Sequence, residues 1–340
     1  MTEPPDLPDL ASRAVGGTVV ACSDEFFAEV DNLLTPGDAE YRPYTFGAKG
    51  QVYDGWETRR RRSPGHDWAV VRLGVPGVVR AVLVDTAHFL GNFPESCAVE
   101  ACHLPGYPGA EELAGAAWTT VVPRAPLGGG AKHVFDVREP RYATHLRLSI
   151  HPDGGVARLR AYGEPVPDPA LLDGMPLDLA AMENGGRVAG CSDRFYGAPG
   201  NLLLPGEARV MGEGWETRRR RGPGNDWVTV ALAAEGVVRV AEIDTRHFKG
   251  NCPGEASLLG YRGAEPPDDL GAWTPLLPRT PLRPDTRHRF RVDGADAPPV
   301  THVRLDVFPD GGVARLRLFG DLSPDGEAAV RDRWRSLTAP

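Results

Sequence analysis

The sequence predicts an all-β protein built from two tandem jelly-roll β-sandwich domains, with a short C-terminal helix. Three observations carry this reading. The chain is written twice, its apolar runs are short and Val-rich between Gly and Pro, and helical periodicity is confined to its last residues.

The duplication is read from blocks in constant order. Cys22-Ser23-Asp24 recurs as Cys191-Ser192-Asp193, an offset of 169 residues from 22 to 191. Gly55-Trp56-Glu57-Thr58-Arg59-Arg60-Arg61-Arg62 returns unchanged as Gly214 to Arg221, an offset of 159 from 55 to 214. Asp85-Thr86-Ala87-His88-Phe89 with Asn92 returns as Asp244-Thr245-Arg246-His247-Phe248 with Asn251, and Pro152 to Arg160 matches Pro309 to Arg317 letter for letter. Solenoid units span roughly 20–50 residues, so copies this long must each hold a core of their own. A chain of 340 residues also exceeds the roughly 250 that one core serves. The stiff Pro-rich stretch Glu164 to Pro169 is the natural linker and puts the boundary near residue 170, giving domains 1–170 and 171–340.

Within the first copy, Trp68 to Leu73 and Val78 to Val84 read as strands. His145 to Ile150 alternates polar and apolar, Pro152-Asp153-Gly154-Gly155 supplies turn chemistry, and Val156 to Tyr162 alternates again, which reads as a hairpin with one buried face. The paired aromatics Trp68 and Trp227, Phe89 and Phe248, and Trp118 and Trp273 are expected in the core, with Cys22 and Cys191 as small buried residues. Asp67 and Asp226, just ahead of strands, could be turn residues or pocket acids, with turns preferred. In the tail, Ala329, Val330, Trp334 and Leu337 share one helical face after Pro324, so a helix over 327–337 is expected to dock on the body or on a neighbouring subunit.

Composition narrows the function. A net charge of −8 argues against nucleic acid as the main partner despite two arginine runs. No apolar run approaches the roughly 18 residues of a membrane span, and Met1-Thr2-Glu3-Pro4-Pro5 lacks the basic and apolar regions of a signal peptide, so a cytoplasmic protein without a membrane partner is expected. The five cysteines are odd in number and form no CxxC pair, which suggests neither a disulfide framework nor a structural zinc site.

Two repeated strings could carry chemistry. If Gly55 to Arg62 were a strand, Arg59 and Arg61 would share a face with Glu57, as Arg218 and Arg220 would with Glu216. Guanidinium forks clamp carboxylates through paired charge-assisted hydrogen bonds, so a small anion would suit such a face. Solvation, or pairing with the chain's many acidic groups, is the alternative. The Asp-Thr-x-His-Phe string ends a strand and enters a Gly-marked loop, where His88 or His247 could exchange protons with Asp85 or Asp244 as partner. A histidine satisfied by a loop carbonyl is the simpler possibility. Acidic groups plus His also permit a divalent metal, but no metal motif supports one and no cofactor is expected. The copies differ at Ala87 against Arg246, Leu90 against Lys249, and His66 against Asn225, so copy two carries more positive charge and is the expected anion binder.

Taken together, the doubled Gly-Trp-Glu-Thr-Arg-Arg-Arg-Arg, the Asp-Thr-x-His-Phe blocks and the two Pro-Asp-Gly-Gly-Val-Ala-Arg-Leu-Arg segments resemble the allantoicase family from about residue 9 to 320. The departures are slight: Asn225 stands opposite His66, and Cys252 opposite Phe93. The resemblance implies galactose-binding-like jelly rolls, homo-oligomeric assembly, and conversion of allantoate and water to ureidoglycolate and urea. The bond to be broken is then an aminal C–N bond, which needs a proton delivered to the leaving nitrogen and a base for water or for the other ureido N–H. On that footing Glu57, Glu216, His88 and His247 are candidates for proton transfer. Arg59, Arg61, Arg218, Arg220, Arg246 and Lys249 are candidates for carboxylate binding, and Asn92 and Asn251 for ureido recognition. Two alternatives stay open: a hydrolase of a related ureide or guanidino acid, and a non-catalytic binder of sugars or small anions.

Overall fold

The first unit reaches to Val166 and the second runs Pro167–Ala339. The computed structural model describes residues 5–172, 174–292 and 297–339; Met1 to Pro4, read above for targeting signals, lie outside them. In the first unit the strands are β1 (Thr18–Cys22), β2 (Phe46–Gly47), β3 (Gly50–Gln51), β4 (Trp56–Glu57), β5 (Asp67–Asp85), β6 (Ser96–Cys102), β7 (Thr119–Pro126), β8 (Lys132–His151), β9 (Gly155–Val156) and β10 (Arg158–Pro165), with the short helix α1 (Ala110–Ala114). The second repeats the plan with β11 (Leu177–Asp178), β12 (Arg187–Cys191), β13 (Trp215–Glu216), β14 (Asp226–Asp244), β15 (Glu255–Tyr261), β16 (Thr274–Pro281), β17 (Arg287–Arg291), β18 (Val300–Phe308), β19 (Gly312–Val313), β20 (Arg315–Leu322) and helix α2 (Pro324–Thr338).

The long strand β5 organises the first unit. Val-rich sequence favours extended backbone, but Gly74-Val75-Pro76-Gly77 interrupts it, and the register with β8 slips between Arg72 and Gly77. Before the slip β5 pairs with β1; after it, with β10; β8 lies along its other edge throughout. One ribbon thus serves both layers of the jelly roll, and β6 and β7 extend it in the order β1-β5-β8-β6-β7. In the second unit β14 plays the same part, with β18 and β17 together in the place of β8. Period-two alternation puts Leu146, Leu148 and Ile150 in the core with Val79, Val82 and Val84, all fully buried. Burying such a side chain contributes about 1.5–3 kcal/mol.

Several expectations are corrected. The segments around Pro152-Asp153-Gly154-Gly155 do not form a hairpin with each other: β8 and β10 flank opposite edges of β5, and β9 between them pairs with β4, Gly155 opposite Glu57. The physical reason is close approach. A Cβ on Gly155 would lie 2.0 Å from the ring of Phe89, and one on Gly55 2.7 Å from the same ring, so this backbone packs directly on Phe89. The arginine run is not a strand either; only Trp56 and Glu57 are extended and Arg59 to Arg62 form a loop. Among the aromatics, Phe89, Phe248 and Trp273 are buried as expected, whereas Trp68, Trp118 and Trp227 are half-buried and the motif's own Trp56 and Trp215 are fully buried. Cys22 and Cys191 are half-buried, and Asp67 and Asp226 are buried acids rather than exposed turn residues. The tail helix is longer than expected and lies on its own unit. Ser323 caps it through Gly326 N–H, and Arg262 reaches Asp325; Val330, Trp334 and Leu337 are half-buried while Ala329 is exposed. Among the described residues no helix is long and apolar enough to cross a membrane.

Candidate active site

Every residue from Gly55 to Thr58 is fixed by the fold. Trp56 Nε1 donates to the Asp24 carbonyl at 2.8 Å, and Thr58 Oγ1 accepts from Gly154 N–H at 3.1 Å. Between them Glu57 is buried, paired in backbone with Gly155, and accepts from Asn92 Nδ2 at 2.6 Å through Oε1. Its Oε2 is buried without a partner among the described residues. Burial pushes the Glu57 carboxyl above the usual range, and the Asn92 hydrogen bond only partly offsets this. The second unit repeats the contact: Asn251 donates to Glu216, which is half-buried, and also reaches Met211.

The Asp-His loop hangs from the end of the long strand. Asp85 is buried, accepts from Ala87 N–H at 2.8 Å, and burial raises its pKa. Thr86 Oγ1 donates to the Gly128 carbonyl at 2.6 Å, pinning the loop to the segment before β8. His88 and His247 follow with φ of 68° and 73°, a left-handed conformation that non-Gly residues seldom adopt. Each ring hydrogen-bonds through Nε2 to a carbonyl, His88 to Ala39 at 3.1 Å and His247 to Ala208 at 2.8 Å. A carbonyl only accepts, so Nε2 carries the proton and a neutral ring keeps Nδ1 free as a base.

The loops that hold these rings are clamped by the arginines of the third repeated string. Arg158 is 2 % exposed. Its guanidinium donates to the carbonyls of Asn32, Gly37 and Asp54 and to the Asp54 carboxylate at 2.7 Å. Arg160 adds bonds to Thr35 and Gly37. In the second unit Arg315 bonds to the Gly206 and Glu213 carbonyls, and Arg317 to those of Leu204 and Gly206. Sequence reasoning read this string as a hairpin and missed its two clamps. The available signal was a pair of arginines repeated on a strand otherwise facing the core.

The arginine loop places its members differently from the sequence expectation. Arg59 is held by Asp24, with Nε to Oδ1 at 2.8 Å, and Arg61 by the buried Asp67 at 2.7 Å. Arg218 pairs with Asp193, and Arg220 with Asp226. The guanidiniums left without a side-chain hydrogen bond or ion pair among the described residues are the intervening Arg60 and Arg62, and Arg219 and Arg221, all exposed. In the second unit the four arginines line a hollow of about 290 Å³ with Ser192, Asp193 and Asp226. Four positive against two negative charges leave this hollow net cationic.

The extra cations of copy two are engaged. Arg246 bonds the Asp244 carboxylate at 2.6 Å and Glu207 at 2.8 Å, and Lys249 lies 3.5 Å from Asp285. Ala87 leaves Asp85 without such a partner. Glutamate and asparagine are therefore brought together in each unit, the histidine of the asparagine's loop bonds a carbonyl instead, and Arg59, Arg61, Arg218 and Arg220 face aspartates. Among the described residues no cluster of three or more His, Cys, Asp or Glu is arranged to hold a metal ion.

Comparison with known proteins follows the same division. Residues 8–166 and 177–323 each match the family described as the allantoicase repeat. A probable allantoicase of Nocardia farcinica is 55% identical over 319 residues, covering 93% of this chain and 95% of that protein. One of Streptomyces avermitilis is 50% identical over 344 residues, covering 97% and 89%. The crystal structure of allantoicase from Saccharomyces cerevisiae superposes with a TM-score of 0.79 at 33% identity, covering 92% of each chain.

Proposed function

The chain belongs to the allantoicase family, a hydrolase of allantoate in purine catabolism, and from that premise we propose how its residues carry the reaction. Allantoate bears a carboxylate and two ureido groups on one carbon. Cleavage requires a proton on the departing ureido nitrogen and a base for the incoming water. Glu57 is the acid. The observation that carries this assignment is its buried, unpaired Oε2: a carboxyl whose pKa burial raises keeps its proton to higher pH and is the better donor, and Asn92, bonded to its other oxygen, orients it and offers its carbonyl to a ureido N–H. The C–N bonding pair leaves with urea, which takes the Glu57 proton. Water adds to the same carbon and gives its proton to Nδ1 of His88, whose ring the Ala39 carbonyl holds in the required tautomer. The free guanidiniums Arg60 and Arg62, or Arg219 and Arg221, receive the substrate carboxylate. Arg59, Arg61, Arg218 and Arg220 position that loop through their aspartates. Glu216, Asn251 and His247 form the second copy of the set, with Asp85 and Asp244 supporting their loops and Arg246 and Lys249 serving Asp244 and Asp285.

We further propose a cytoplasmic homo-oligomer without nucleic-acid or membrane partners, its two repeats meeting in the Pro-rich segment near residue 170. The net charge of −8 supports the lack of a nucleic-acid partner. Exposed neighbouring rings, Phe26 with Phe27 in one unit and Phe195 with Tyr196 in the other, support assembly. Sedimentation velocity should then return a mass above 36.6 kDa.

Steady-state kinetics of urea release from allantoate test the roles. Replacing His88 by Ala should lower kcat by about 10²- to 10⁴-fold, the usual range for a lost acid or base. Replacing Arg60 or Arg219 by Gln should raise KM by about tenfold, near 1.4 kcal/mol, with a smaller change in kcat. Wild-type rates in both His88→Ala and His247→Ala would refute the base assignment.

A further inference from the structure

A large cavity lies on the outer face of the first unit's sheet. It encloses about 630 Å³, within the range of small-molecule sites. Its floor is apolar, made by Trp68, Val70 and Ala98, and Leu113 of α1 closes one wall. Its polar part is cationic. His66 and His151 stand with ring centroids 4.6 Å apart, and Arg124, donating through Nε to Ser96 at 2.8 Å, lies beside them because Ser96 is the register partner of His151. None of the three forms an ion pair with a carboxylate among the described residues, whereas the neighbouring Glu100 is already paired with Arg147 at 2.7 Å. His151 is pushed down by burial first, and then by Arg124 and His66, so the fixed positive charge of this corner rests on the Arg124 guanidinium.

The other repeat supplies the control. Opposite His66, Ser149 and Arg147 stand Asn225, Asp306 and Arg304, which are tied to one another: Asn225 donates to Asp306 at 2.8 Å, and Arg304 donates to Asp306 while lying over the Trp227 ring. Opposite His151 stands Phe308, covered by Arg279, and opposite Ser96 stands Glu255, which neutralises that arginine. The second repeat thus compensates its charges internally at the positions where the first leaves them open.

We propose that this cavity is a small-molecule site peculiar to the first repeat, taking a planar organic anion with its carboxylate between Arg124 and the His66–His151 pair and its apolar body on Trp68, Val70 and Leu113. It uses none of the residues assigned to allantoate hydrolysis. The probe is 2-naphthoate, titrated calorimetrically into the full-length protein, with 2-naphthylmethanol as the uncharged counterpart and urea release from allantoate measured in parallel. The acid should bind at one site per chain and the alcohol at least tenfold more weakly. Arg124→Gln and His151→Phe should each weaken the acid at least fivefold, with melting temperature unchanged and urea release within twofold of the parent. Three results would overturn the proposal: no binding at millimolar naphthoate, equal affinity for acid and alcohol, or affinity unchanged in Arg124→Gln. Loss of urea release in Arg124→Gln or His151→Phe would also overturn it, by making the cavity part of the hydrolytic site, and is distinct from a protein that releases no urea at all.

Discussion

At the scale of single residues, Glu57 separates stability from activity. Burial raises its folded pKa above the unfolded value, so the folded chain binds that proton more tightly. The resulting stabilisation is complete at low pH and is lost as pH rises through the folded pKa. Above the folded pKa the ionised carboxylate, with one oxygen unpaired, weighs against the fold. Glu57→Gln keeps the Asn92 contact without the charge and should be more stable there by about 1 kcal/mol in urea denaturation. His145 acts in the opposite sense. It is fully buried, its Nδ1 meets Thr144, and its pKa is pushed down to about 4, by burial first and then by Arg72. The unfolded chain therefore takes up a proton between about pH 6.5 and 4 that the folded chain refuses. Stability should fall across that window, by on the order of 3 kcal/mol in total, and His145→Asn should flatten the fall. Residue types were legible in the sequence because proton transfer and anion binding draw on few side chains. Their partners were not: that Arg59 meets Asp24 or Arg61 meets Asp67 depends on chain segments far apart in sequence.

At the scale of elements, the most informative discrepancy is the repeated Pro-Asp-Gly-Gly-Val-Ala-Arg-Leu-Arg. Alternation and turn residues argued for a hairpin, and both strands exist. They pair elsewhere because the glycines let β9 lie against β4 and Phe89, a tertiary contact that no local pattern encodes. The same displacement aims Arg158 at the loop carrying Ala39. Truncating Arg158 to Met removes the guanidinium from those carbonyls and leaves the Asp54 carboxylate unpaired, which should cost about 3–5 kcal/mol. Because the Ala39 carbonyl holds His88, kcat should drop as well, and limited proteolysis should cut within residues 35–54 sooner than in the parent. Unchanged stability would mean that the clamp contributes little. The short β4 was also misjudged, since the run after it is too charged to be buried as a strand and is anchored at alternate residues, Arg59 and Arg61, instead.

At the scale of the whole molecule, duplication was the clearest message of the sequence, and two jelly-roll units follow it, with β17 and β18 sharing the place of β8 and the β2–β3 pair, among the described residues, confined to the first. What duplication hid is inequality. The repeats keep the same motifs, yet copy two's added cations serve its own aspartates, Glu57 is buried where Glu216 is half-exposed, and an open cationic cavity exists where the other repeat is internally paired. The difference in charge could be counted beforehand. Whether those charges were free could not. The most direct discriminating measurement is kcat for urea release from allantoate by Glu57→Gln, Glu216→Gln and the double variant, each checked for an intact fold. Loss of about 10²-fold or more in Glu57→Gln, with a smaller loss in Glu216→Gln, is the expected result. A Glu57→Gln protein turning over at the parental rate would contradict the assignment of the buried carboxyl as the proton donor.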